Sequence, residues 1–270
     1  MLRSPAVAGR FYPAHPEALR KVLDRYIVPA PEPVRAVGCV VPHAGYMYSG
    51  HVAGAVYGAL QLPSLFVILC PNHTGFGRTV AVCSSGEWLT PLGRAAVDAD
   101  LGARMKRECA LLSEDWEAHA AEHALEVQLP FLQRLVPGFT FVPIAVRLGD
   151  FRKLEELGQA LGRAAEQAGR PLLLVASSDM NHYEPDSVTR LKDRKAIDAI
   201  LELDPRGLYD VLRRENNSMC GFGPVIAMLT AARHLGANRT ALIRYATSAD
   251  AGGDRNAVVG YAGIIVYRQE

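Results

Sequence analysis

The sequence predicts an α/β fold with three layers, in which helices cover both faces of a largely parallel central sheet. Short runs rich in Val, Ile and Leu recur along the chain without alternating polar residues, as in strands that are buried on both faces. Helical patterns separate these runs, and strands that alternate with helices are typical of a parallel sheet. The 270 residues suffice for one large domain, which we expect to span 1–270.

The elements follow from these patterns in chain order. The predicted strands of the first two thirds span residues 36–42, 65–71, 139–146 and 171–178, and the predicted helices span 51–60, 98–108, 119–136 and 150–168. The last of these helices has Asp150 as its N-cap and Gly169 just past its end. In the final third, helices are predicted at 190–202, 205–214 and 223–237, followed by strands at 240–248 and 257–268.

Composition excludes several classes of protein. The 29 basic and 28 acidic residues nearly balance, so net charge gives no reason to expect binding to nucleic acid or to an anionic membrane. The five scattered cysteines contain no C-x-x-C pair, which indicates reduced thiols and a cytoplasmic protein. The amino end lacks the apolar segment of a signal peptide, and the apolar runs are too short to span a membrane.

A histidine stands at the carboxyl end of three predicted strands. The stretches are PHAG (42–45), PNHTG (71–75) and SSDMNH (177–182), which carry His43, His73 and His182. Open α/β sheets bind ligands beyond the carboxyl ends of their strands. Imidazole is the most common protein ligand for zinc, copper and iron, so the sequence predicts a metal site at this edge.

Cys220, in NNSMCGFGPV (216–225), is a fourth candidate ligand. A thiolate is favoured near a metal ion or the amino end of a helix, and a helix start is predicted near Pro224. A buried, inert thiol is the alternative interpretation, and it is the one that fits the other four cysteines.

The segment His119-Ala-Ala-Glu122-His123 matches the H-x-x-E-H spacing of inverted zinc proteases, in which Glu122 would act as general base. The motif is short and arises easily by chance. We therefore expect His123 to line the same crevice as the strand-end histidines and His119 to face solvent.

The stretch SSDMNH also raises the hypothesis of a serine hydrolase, but no G-x-S-x-G elbow is present. The order of residues favours an Asp179 that either orients His182 or caps a turn.

Six motifs occur together in a fixed order: GRFYP (9–13), VPHAGYMYSG (41–50), PNHTGFG (71–77), EHALEVQLPFL (122–132), SSDMNHY (177–183) and SMCGFGPV (218–225). Together they closely resemble the Memo family, whose prokaryotic members are called component B of the AmmeMemoRadiSam system. The resemblance covers essentially the whole chain.

The resemblance implies a fold similar to that of the class III extradiol dioxygenases, which are non-haem iron enzymes. It matches His43 and His73 to the two histidine ligands, His182 to the acid–base histidine, and His123 to a further pocket histidine. The third ligand departs from the dioxygenase pattern, because Cys220 stands where those enzymes have Glu. A softer thiolate permits Cu or Zn beside Fe(II).

Three roles stay open at this point. The first is a metal-dependent oxidation of a small aromatic or related substrate by His43, His73 and Cys220 with His182, oriented by Asp179. The second is a non-enzymatic binding or signalling module that recognises a peptide, a phosphopeptide or another partner in the same crevice, with Arg147, Arg244 or Arg255 as the cation for a phosphate group. The third, which follows from the resemblance alone, is a role beside AmmeMemoRadiSam component A or a radical-SAM partner.

Overall fold

The computed structural model describes residues 1–269. In that part of the chain the strands are β1 Leu2–Arg3, β2 Ala36–Val41, β3 Leu65–Pro71, β4 Val80–Val82, β5 Glu87–Thr90, β6 Gly93–Val97, β7 Ser113–Glu114, β8 Thr140–Val146, β9 Leu173–Ser177, β10 His182–Glu184, β11 Arg239–Thr247 and β12 Val258–Tyr267. The helices are α1 Pro16–Tyr26, α2 Tyr46–Gly58, α3 Ala99–Glu108, α4 Glu117–Ala120, α5 Leu129–Leu135, α6 Phe151–Glu166, α7 Asp186–Leu201, α8 Pro205–Glu215 and α9 Phe222–His234. Short 3-10 helices lie at Glu126–Gln128 and Ser248–Ala251.

The centre of the sheet is parallel. Strands β6, β8, β3, β9 and β2 lie side by side in that order and run in one direction. Beyond β2 the sheet continues with β12 and β11, each antiparallel to its neighbour. Val41 of β2 lies opposite Ser177 of β9, so the two strands end at the same edge of the sheet.

Helices cover both faces of this sheet, as predicted. Helices α1, α2 and α5 contact one another on one face, while α3, α6, α8 and α9 pack together on the other. Strand β3 is buried along its whole length, and its side chains alternate between the two layers. Phe66 and Ile68 enter the core on the first side, and Val67 and Leu69 enter the core on the second.

The predicted parallel strands are confirmed to within two residues, and Asp150 caps α6 by accepting a hydrogen bond from the Lys153 amide. The predicted helix at 119–136 is wrong, since the chain leaves the helix at Ala120 and resumes it at Leu129. The Glu122 carboxylate explains the break, because it accepts a hydrogen bond from the Ala124 amide and so competes with helical bonding.

Across residues 1–269, we find no helix with the length and apolar character needed to cross a membrane.

Candidate metal centre

Three histidines meet at the carboxyl edge of the parallel strands. His43 follows β2 and His73 follows β3, while His123 comes from the turns between α4 and the 3-10 helix at Glu126–Gln128. One ring nitrogen from each lies within 4.8 Å of the others. The structure therefore brings together two of the predicted ligands and a third histidine that the sequence placed only in the crevice.

His43 is buried, and hydrogen bonding fixes which of its nitrogens carries the proton. The Ser177 hydroxyl donates to the Ala124 carbonyl over 2.6 Å and accepts from the Gln128 amide over 2.8 Å. His43 Nδ1 lies 3.0 Å from the same oxygen. A hydroxyl has one hydrogen to donate, so Nδ1 must donate to Ser177. The lone pair of the His43 ring is then on Nε2, where a metal ion can use it.

A second buried layer holds Ser177 and the His43 loop in place. The Gln128 side-chain amide donates to the Pro42 carbonyl as well as to Ser177, and its oxygen accepts from the Tyr57 hydroxyl over 2.9 Å. Burial lowers the pKa of His43, and the neighbouring histidines lower it further. The ring is therefore neutral at pH 7, as a ligand must be.

Glu122 fixes the ring of His73 in the way that Ser177 fixes the ring of His43. Its carboxylate accepts from the His73 backbone amide over 2.6 Å and lies 2.9 Å from Nδ1 of the ring. Burial raises the pKa of Glu122, but the contacts with His73 and the Ala124 amide outweigh burial, so the pKa is lowered. An ionised carboxylate accepts hydrogen bonds only, hence Nδ1 carries a proton. Burial lowers the pKa of His73, but the hydrogen bond and the charge of Glu122 outweigh burial and raise it, so a metal ion at Nε2 must displace a proton whenever the ring is charged.

His123 is held less tightly than the other two. Its Nδ1 lies 3.4 Å from the Glu122 carboxylate, and its ring stacks on His73 with centroids 4.8 Å apart. Phe11 packs against the ring at the same separation. Burial lowers the pKa of His123, although the charge of Glu122 opposes this change.

Cys220 joins the cluster from a different direction. It stands two residues before α9, and its Sγ lies 3.2 Å from His43 Nε2. Burial raises the pKa of the Cys220 thiol, and the charge of Asp179 raises it further. Without a metal ion the side chain is thus a thiol that donates to the His43 lone pair. The other four cysteines are buried free thiols.

Asp179 anchors the loop that carries His43. Its carboxylate accepts a hydrogen bond from the His43 amide over 2.7 Å, and burial raises its pKa to about 7 against the effect of that bond. Among residues 1–269, no hydrogen bond joins Asp179 to the His182 ring. Of the two roles predicted for Asp179, the structure supports the one that stabilises a turn.

His182 lies at the start of β10, beside the cluster. Its amide donates to the Ser218 hydroxyl over 2.8 Å, while its ring Nδ1 is buried without a hydrogen-bond partner in the described chain. Burial lowers the pKa of His182, and the proximity of His73 lowers it as well. The imidazole is therefore neutral at pH 7 and able to accept a proton.

A buried ion pair fixes the segment that carries Glu122 and His123. Arg3 Nη1 contacts the Glu126 carboxylate over 2.7 Å, and the same guanidinium donates to the carbonyls of His119 and Glu122. Glu126 also accepts from the Tyr12 hydroxyl and from the amides of Ala6 and Val7. The amino end of the chain thereby holds the segment that carries Glu122 and His123 in place.

The inverted-protease interpretation is wrong. His119 is fully buried rather than exposed to solvent, and its ring packs edge-on against Trp88. Since the chain leaves the helix at Ala120, His119 and His123 do not share a helical face. The serine hydrolase hypothesis is not supported either. Ser177 and Ser178 are buried, and their hydroxyls donate to the carbonyls of Ala124 and Asp179, so neither is placed as a nucleophile.

The family model for Memo-like proteins matches residues 3–265 of this chain. The chain belongs to the Memo family. A MEMO1 family protein of Methanopyrus kandleri is 44% identical over 282 residues, which cover 99% of this chain and 100% of the relative. A MEMO1 family protein of Methanosarcina barkeri is 43% identical, with 98% of this chain and 100% of that one covered. The resemblance seen in the six motifs is thus confirmed.

A solved structure supports the fold of this Memo protein. The crystal structure of an uncharacterised protein from Escherichia coli K12 superimposes with a TM-score of 0.59, covering 86% of this chain and 100% of that one. At 14% identity this likeness shows the fold alone.

Sequence reasoning missed most of the residues that support the ligands in this Memo protein. Glu122 was considered only as the general base of a protease. No role was predicted for Gln128, Tyr57 or Arg3. The one signal available was the spacing of acidic and amide residues in EHALEVQ (122–128), where four polar side chains interrupt an apolar helical pattern.

Proposed function

We propose that this Memo protein holds one transition-metal ion at the carboxyl edge of its sheet and uses it to oxidise a small aromatic or related substrate. The observation that supports this proposal is the convergence of three imidazole nitrogens within 4.8 Å, two of them with the proton directed away from the cluster. Hydrogen-bonded imidazoles of this kind are typical of metal ligands.

The donor set fits a first-row transition metal. We assign His43 and His73 as ligands, with Cys220 as the third ligand and His123, which belongs to the imidazole cluster, as the alternative at that position. Fe(II) is the proposed metal, with Cu or Zn as alternatives. His43 Nε2 and Cys220 Sγ are 3.2 Å apart, close to the separation of two ligands whose bonds to one ion are about 2.0–2.3 Å long. Imidazole suits all three metals, and the thiolate favours copper and zinc.

Such an ion, when bound, supplies Lewis-acid chemistry and, for iron or copper, redox chemistry. The protein supplies the rest. His182 is neutral at pH 7 and can accept the proton of a substrate hydroxyl group. His123 and Phe11 form an aromatic wall on which a flat substrate can stack.

Metal analysis of protein purified without chelators or metal-affinity columns tests the proposal. We expect close to one ion per chain, and we expect the His43→Ala variant to lose it. Anaerobically iron-loaded protein should then consume oxygen with a panel of catechols. If the metal-replete protein consumes no oxygen with any diol, the oxidation part of the proposal is refuted.

The third ligand can be tested separately. Cobalt(II) bound to a thiolate absorbs strongly in the near ultraviolet, so the wild-type protein should show this band. We expect Cys220→Ser to abolish it and His123→Gln to retain it. The opposite pattern would assign the third position to His123.

A second candidate function is binding of a peptide or other partner in the same crevice. Exposed apolar side chains follow three of the histidines closely, namely Met47 after His43, Phe76 after His73 and Tyr183 after His182. Of the three arginines considered for phosphate, Arg147 has its guanidinium beside Gly75 in the His73 loop. Arg255 lies 3.9 Å from Asp186 instead.

Calorimetry with matched phosphorylated and unphosphorylated tyrosine peptides distinguishes this function. We expect Arg147→Ala to remove any preference for the phosphopeptide. Equal affinity for both peptides would count against it. A role as accessory to AmmeMemoRadiSam component A or a radical-SAM partner is a further proposal, which a co-purification experiment tests.

A further inference from the structure

A cavity of about 700 Å³ opens at the amino ends of the parallel strands, on the opposite edge of the sheet from the histidines. Its floor is formed where three adjacent strands begin, with Ala36 and Val37 from β2, Leu172 before β9 and Leu62 before β3. Cavities of this size are typical of small-molecule sites.

Three arginines line this cavity: Arg35, Arg170 and Arg268. Arg170 forms an ion pair with Asp98, which is the N-cap of α3. No carboxylate among residues 1–269 lies within ion-pair distance of Arg35 or Arg268. Within residues 1–269, three guanidinium groups therefore face one carboxylate, so this part of the cavity is positively charged although the chain as a whole is nearly neutral.

The arginines are not explained by helix capping. Helices α6 and α9 end near the cavity, and basic residues often bind the free carbonyl groups at such ends. Within the described chain, however, none of the three guanidinium groups donates a hydrogen bond to a helix carbonyl; Arg170 bonds only to Asp98. As far as the structure describes the chain, to residue 269, the guanidinium donors of Arg35 and Arg268 have no protein acceptor and can bind a ligand.

We propose that this cavity binds a small organic phosphate of the nucleoside diphosphate class. Guanidinium groups recognise phosphate through paired, charge-assisted hydrogen bonds. Leu62, Leu172 and Leu235 supply an apolar surface for a base-like ring beside the arginines. The site is independent of the metal centre, which lies at the other end of the same strands.

Calorimetric titration with ADP and with inorganic pyrophosphate tests the proposal. We expect ADP to bind, pyrophosphate to bind at least tenfold more weakly because it lacks the apolar part, and both affinities to fall steeply with salt. The double variant R35E/R268E should weaken ADP binding by about a hundredfold, since each charge-assisted contact contributes roughly tenfold.

Two controls separate this site from general attraction. Arg152→Glu reverses an exposed charge on α6 outside the cavity and should leave ADP affinity within about twofold of wild type, as should removal of metal from the wild-type protein with a chelator that is then dialysed away. The three arginines are exposed, so the variants should keep the wild-type thermal unfolding temperature.

The proposal is overturned if ADP does not bind at millimolar concentration. It is also overturned if R35E/R268E and Arg152→Glu weaken binding equally, or if pyrophosphate binds as well as ADP. Loss of ADP binding on metal removal would instead assign the nucleotide to the histidine cluster and refute the second site.

Discussion

The two ends of the parallel strands are built in opposite ways. At the carboxyl edge, the ring Nδ1 atoms of His43 and His73 are hydrogen-bonded to Ser177 and Glu122, which are fully buried. At the amino edge, Arg35, Arg170 and Arg268 are exposed around an open cavity. One edge fixes its polar groups before any ligand arrives, whereas the other exposes its charges to water, with only Arg170 held by a carboxylate among residues 1–269.

The difference indicates what each edge can bind. A metal ion needs lone pairs held within a few tenths of an ångström, which requires a rigid supporting layer. A phosphate-bearing ligand needs only a positive field and adaptable donors, which flexible arginines provide. Substitutions at the carboxyl edge should therefore disturb stability and metal affinity together, while those at the amino edge should leave stability unchanged.

The largest effect is expected for Glu126→Ala. The variant leaves the buried Arg3 guanidinium without its counter-charge, so we expect the free energy of unfolding to fall by about 3–5 kcal/mol. Urea denaturation followed by circular dichroism measures this loss. Arg268→Ala at the amino edge is the control and should change stability by less than about 0.5 kcal/mol. Similar losses of unfolding free energy in both variants would contradict the proposed difference between the two edges of the sheet.

Acid should weaken the carboxyl edge through His119. Burial lowers the pKa of His119 from 6.5 to about 4, aided by Arg3, so the unfolded chain binds a proton that the folded protein excludes. The stabilisation is complete above pH 6.5 and is lost as the pH falls to 4, amounting to about 3 kcal/mol.

Denaturation of the His119→Leu variant between pH 4 and 7 measures this contribution. We expect its stability to fall less with acid than that of the wild type. Leu191→Ala, which changes an exposed apolar side chain, should retain the wild-type pH dependence. Parallel curves for the wild type and His119→Leu would refute the assignment.

Glu122→Gln should weaken metal binding by about 10–100-fold, because an amide does not hold the Nδ1 proton of His73 as a carboxylate does. Competition with a chelator for Zn(II) gives the affinity. Glu117→Gln, an exposed change in α4, is the matched control and should bind as the wild type does. An unchanged affinity for Glu122→Gln would mean that His73 needs no orienting group.

Ser177→Ala should have a smaller effect, of about three- to tenfold on metal affinity, since Gln128 and Asp179 still hold the His43 loop. Nitrogen NMR of the His43 ring should show both tautomers in the variant and the Nδ1–H form alone in the wild type. Ser187→Ala on the surface of α7 serves as the control. A single tautomer in Ser177→Ala would show that another group fixes the ring.

The sequence predicted the parts of this site that depend on the sheet. His43 and His73 lie two residues beyond the ends of β2 and β3, and His182 follows β9 after a short loop and begins β10. Parallel strands bring their carboxyl ends to one edge, so strand order is not needed to predict that these histidines lie near one another. Cys220 could be named as a candidate ligand because its loop precedes a helix. These rules require only local patterns of apolar residues.

The remaining residues could not be predicted, because their partners are remote in sequence. Glu122 and His73 are 49 residues apart, and Arg3 and Glu126 are 123 residues apart. The pattern of apolar and polar residues within one segment does not indicate which distant residues will pair. The apolar periodicity of 119–136 predicted a helix, whereas the hydrogen bonds of the Glu122 carboxylate impose turns there.

The buried Arg3–Glu126 pair also affects how the protein is made. During synthesis the first residues leave the ribosome long before Glu126, and until then the charged arginine has no counter-ion. The histidine segment therefore completes its folding only after Glu126 has been translated, 123 residues after Arg3, and such contacts between distant residues form slowly. Metal capture by the nascent chain should follow that step.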